Sequence, residues 1–111
     1  MPTYLAMFKY SGDAVAAMIE SAAEREPAVR AVLDSIGGRL VAMYWMFGPH
    51  DGIAIVEAPD SLTMAGVSAA VSSTGAIQSE VYELFSSDDV HRILDTARRA
   101  REHFATPGDA A

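Results

Sequence analysis

His50 and Asp51 stand side by side in a chain of 111 residues that holds few other groups of marked reactivity. An imidazole titrates near neutral pH, donates or accepts a proton and can bind a metal. A neighbouring carboxylate orients it when the two side chains turn toward one another, which makes His50 the candidate acid or base and Asp51 its candidate orienter. A plainer role is open to each. Beside Gly52, Asp51 can accept backbone hydrogen bonds and fix a chain reversal, and His50 can be a locally bonded turn residue. Gly48 permits an unusual backbone angle and Pro49 restricts the next one, so Gly48, Pro49 and Asp51 read as a structural turn in either case.

A second set has the chemistry of ligand recognition. The hydroxyls of Tyr4, Tyr44 and Tyr82 can orient a ligand, Trp45 offers a stacking surface, and Arg39 can meet a carboxylate. The same aromatics also suit an apolar core or a subunit interface. Glu57 and Glu80 are possible pocket acids without a spacing diagnostic of paired-acid catalysis. His91 and His103 lie twelve residues apart on one predicted helix, about 18 Å along its axis, too far to share one ion. No metal site and no cofactor is expected, since phosphate-loop, dinucleotide and zinc-helix motifs are all missing.

Composition narrows the setting. A hydrophobic content of 50% supplies a core for one domain, expected over residues 1–105 with a flexible tail at 106–111. With no cysteine, disulfides and thiol nucleophiles are excluded. Fifteen acidic against 8 basic side chains give a net charge of -7, which disfavours nucleic acid and anionic lipid as partners. The only basic cluster, Arg98, Arg99 and Arg101, suits the end of a helix, where cations meet the helix dipole. No secretion signal or apolar run of membrane-spanning length is legible, so a cytoplasmic protein is expected.

The elements that must position these residues are strongly patterned. Thr3–Lys9 and Arg39–Phe47 are apolar on both faces, as are the residues after the 48–51 turn, so three strands have no face suited to water. A helix beginning near Ser11 or Asp13 breaks at Pro27, and a second carries Val29, Val32, Leu33 and Ile36 to a stop at Gly37-Gly38. Asp60 or Ser61 caps a helix to Ser73, Ala76–Phe85 forms the fourth strand, and Ser86 or Ser87 caps a last helix striped by Val90, Ile93, Leu94 and Ala97. The order β-α-β-β-α-β plus a helix predicts an α+β, ferredoxin-like, four-stranded antiparallel sheet with helices on one face. Its other face requires a cover, and self-association is the expected one.

The run GGRLVAMYWMFGPHDGIAIVEAPD, followed by Ser73-Thr74-Gly75-Ala76, resembles the GYD domain family over roughly Thr3–Ala97. Gly48 and Asp51 match that family's Gly-x-Tyr-Asp turn, while His50 stands where tyrosine is common and Pro49 fills the variable position. The resemblance implies a dimeric α/β-barrel assembly and no common reaction. Two functions therefore compete. One is a homo-oligomeric protein that binds a small apolar or aromatic molecule or serves as an interaction module. The other is a cofactor-independent enzyme of oxygenase or isomerase type, with His50 as its acid/base.

Overall fold

The computed structural model describes residues 1–21 and 24–109, so the last two residues of the expected tail lie outside the described part. Its elements run β1 (Thr3–Tyr10), α1 (Gly12–Ser21), α2 (Glu26–Ser35), β2 (Arg39–Trp45), β3 (Gly52–Glu57), α3 (Ser61–Ser73), β4 (Ile77–Leu84) and α4 (Ser87–His103). Local chemistry sets most of the boundaries. Pro27 falls in the first turn of α2, where its missing N–H costs nothing. That helix ends because Gly37 adopts φ 72°, letting the Gly38 and Gly37 N–H groups return to the carbonyls of Leu33 and Asp34. Asp60 caps α3 by accepting from the Thr63 N–H at 2.8 Å, and Ser86 and Asp89 form a reciprocal capping box at α4.

The sheet has the order β2-β3-β1-β4, antiparallel throughout, as the ferredoxin-like pattern requires. Tyr4, Phe8 and Tyr10 from β1, with Ala54 and Val56 from β3, meet Leu33 of α2 and Met64 of α3 in the core. Met18 of α1 packs at its margin. The β2–β3 register slips between Leu40 and Ala42, a bulge that leaves Val41 unpaired and lets Leu40 and Met43 both reach the core side. Strict alternation along β2 does not foresee that slip.

The expected dimeric α/β barrel is corrected by this topology. The sheet ends on two edge strands, β2 and β4, and is not closed into a barrel. Four strands cannot curl through the angle that closure demands, which takes about eight for a filled barrel.

The second face of the sheet carries no helix. Across its strands run Tyr44, Ile53, Met7 and Glu80 in one row and Ala42, Ile55, Leu5 and Tyr82 in the next. α4 borders the N-terminal residues only along its first turns and then runs away from the sheet. None of its residues is buried, and the molecule extends over 62 Å with a radius of gyration of 18.3 Å, against about 13 Å for a compact chain of this length.

Candidate functional site

The turn after β2 is anchored from both sides by one residue. The Asp51 carbonyl accepts from the Met46 N–H at 2.8 Å, and the Asp51 N–H donates to the Phe8 carbonyl at 2.8 Å. Its carboxylate accepts from the Tyr10 N–H at 2.8 Å and from Lys9 Nζ at 3.2 Å. The Tyr10 N–H, aided by Lys9, holds the Asp51 carboxyl below the ordinary carboxylate range. Asp51 thus ties the turn to the end of β1, and both its oxygens bond to that strand rather than to His50. Gly52 follows because nothing larger fits: a Cβ there would lie 2.6 Å from the Phe8 ring and 2.7 Å from the Tyr44 carbonyl. Gly48 has φ 159° and open space around it.

His50 reaches the uncovered face of the sheet instead. Its Nε2 lies 3.5 Å from Glu80 Oε2, and the same oxygen accepts from the Tyr82 hydroxyl at 3.1 Å. The Glu80 carboxylate raises the Tyr82 hydroxyl above its ordinary value, so Tyr82 is held as a neutral donor already committed to Glu80. His50 therefore has a carboxylate partner from β4, thirty residues on in sequence, rather than its neighbour Asp51. Adjacent residues on a tight turn diverge, whereas the pleat brings Glu80 and Tyr82 to one face.

The other candidate ligand residues do not share one pocket. Tyr44, 61% exposed, lies on the uncovered face with Tyr82. Trp45 is 60% exposed on the helix side, its ring 5.7 Å from that of Tyr10. Tyr4 is buried in the core and bonds through its hydroxyl to Ser61, which donates on to Glu83. Arg39 is joined to its register partner Glu57 by a short ion pair with Nε to Oε1 at 2.7 Å. Among the described residues no three His, Asp or Glu side chains gather as a metal would need. Nor is any helix there long and apolar enough to cross a membrane.

One feature is absent from the residue types singled out in the sequence. Between the sheet and helices α2 and α3 lies a cavity of about 170 Å³, walled by apolar side chains including Phe8, Leu33, Val56 and Met64. Arg25 lines it, and its Nε is buried with no hydrogen-bond partner among the described residues. An arginine just ahead of Pro27 reads as a solvated break between helices, so only tertiary structure reveals it.

Comparison with known proteins agrees with this architecture. The sequence profile of the GYD domain matches residues 4–94. The chain belongs to the GYD domain family. A relative from Thermus thermophilus, the "Glutamine synthetase and cystathionine beta-lyase binding protein", is 29% identical over 91 residues, spanning 81% of this chain and 95% of its own length. Among solved folds, the crystal structure of TTHA0845, also from Thermus thermophilus, superposes with a TM-score of 0.50 at 18% identity. That likeness covers 78% of this chain and 96% of the other, and it speaks to the fold of this GYD domain alone.

Proposed function

We propose that this GYD-domain chain is a self-associating protein-binding module, in which a second copy covers the bare sheet face and the apolar stripe of α4. The observation that carries the reading is the excess of exposed surface. The chain exposes 7862 Å² at a mass of 11.8 kDa, whereas a compact monomer of that mass exposes about 5,900 Å². The difference of about 2,000 Å² per chain is what an obligate pair buries, and more than a transient contact needs.

Two physical facts concentrate that excess. A lone helix near the length of α4 is marginal in water, so Val90, Ile93 and Leu94 need a surface to pack on. The sheet face offers one: an apolar centre of Leu5, Met7, Ile53 and Ile55, with the ion pairs Lys9–Asp51 and Arg39–Glu57 and the His50–Glu80 contact at its margins. Such a rim carries both signs and suits a two-fold copy of itself. The relative's name, a binding protein for two enzymes, supports protein surfaces as the class of target. The acid/base reading of His50 has less behind it, because Asp51 and Tyr82 are committed to other partners.

Mass measured by light scattering across a dilution series tests the assembly. Species of at least twice 11.8 kDa are expected well below micromolar concentration, given an interface of obligate size. A monomer alone at every dilution overturns the reading.

A further inference from the structure

We propose that the cavity between the sheet and helices α2 and α3 binds a small aromatic monocarboxylate, with Arg25 as its anion anchor. The site lies on the opposite side of the sheet from the surface assigned to self-association, and the inference stands independently of that reading.

Size gives the first part of the argument. The cavity measures about 170 Å³, close to the volume of about 150 Å³ at which an engineered apolar cavity takes up benzene. A single six-membered ring matches that volume. The wall gives the second part. Its lining is apolar except for Tyr10, Arg25, Ser68 and Ser79, and the two serine hydroxyls face each other at 3.4 Å. A ring set against Phe8, Leu33, Val56 and Met64 trades water for close packing along those walls.

Arg25 fixes the polar end. Its Nε is buried and unpartnered, and its guanidinium sits 5.8 Å from the centre of the Tyr10 ring. The flanking acids do not neutralise it among the described residues: Glu26 is bonded to Arg30 at 2.6 Å, and Glu24 is exposed. A half-buried guanidinium without a carboxylate is costly, and a planar carboxylate is the anion whose two oxygens match its fork of donors. Ring-sized apolar space beside a guanidinium whose Nε lacks a partner is thus the complement of a benzoate-like molecule.

The test is titration calorimetry of the full chain with benzoate, and with benzamide as the neutral molecule of equal shape. Benzoate is expected to bind at least tenfold more tightly than benzamide, and Arg25→Gln to remove that preference while leaving the melting temperature of the unliganded chain within a few degrees. A chemical-shift map with labelled protein should place the perturbed signals on Val56, Met64 and Val81. No heat and no shift changes with millimolar benzoate overturn the proposal. So does equal affinity for the two probes, or full benzoate affinity in Arg25→Gln. Because the probes compare on the unaltered protein, the outcome does not depend on the variant folding.

Discussion

Ile55 occupies the middle of the uncovered sheet face, flanked across strands by Ala42 and Leu5. Replacing it with glutamate tests the proposed interface at its centre. Full burial of an isoleucine side chain is worth about 1.5–3 kcal/mol, and Ile55 is already half-buried in the single chain, so each copy stands to gain about 1 kcal/mol on assembly. Two copies lose that gain together, and each then buries a carboxylate facing apolar side chains, which adds at least about 1 kcal/mol apiece. The sum exceeds about 3 kcal/mol, more than a hundredfold in dissociation constant. The single chain should tolerate the change, because Ile55 points away from the core of Tyr4, Phe8, Leu33 and Val56. Sedimentation equilibrium then reports a shift toward monomer while circular dichroism shows the native helix and strand content. A folded Ile55→Glu protein that assembles as tightly as the unaltered chain refutes the assignment of this face.

Gly52→Ala should destabilise the fold by about 1–3 kcal/mol, since the added methyl strikes the Phe8 ring and the Tyr44 backbone; a thermal melt should show the midpoint falling by several degrees. The acid limb of stability follows from Asp51 and Asp60, whose folded-state values lie below their ordinary ones because the Tyr10 and Thr63 N–H groups bond the ionised forms. Depressed carboxyls give stability that is complete above about pH 5 and is lost as pH falls through their folded-state values, so the urea midpoint should drop below about pH 4. Replacing both with asparagine should flatten that drop, and an unchanged slope counts against the two bonds.

Legibility followed the range of the interactions. The stop at Gly37-Gly38 and the caps at Asp60 and Ser86 are settled within a few residues of chain and could be read directly, whereas Pro27, expected to break a helix, instead sits in the first turn of α2. The strand order followed from the β-α-β-β-α-β succession, whereas the bulge at Val41 depends on how β2 meets β3 and left no local mark. Site chemistry was least legible. The partner of His50 is Glu80, on a strand the turn does not touch in sequence, and Arg25 gains its setting only when α2 closes over β1 and β3. For α4 the stripe of Val90, Ile93 and Leu94 was plain, but periodicity records that a face is apolar and not where its cover comes from.

Asp51 holds the 48–51 turn through its N–H, its carbonyl and its carboxylate, and none of those bonds involves the residue before it. Position 50 is consequently a fingertip on a rigid knuckle. Its side chain takes no part in the bonds that hold the hairpin beneath, and reaches over the sheet toward Glu80. With histidine in place, the Nε2 of the ring stands 3.5 Å from Glu80 Oε2, across the uncovered face from the turn that carries it.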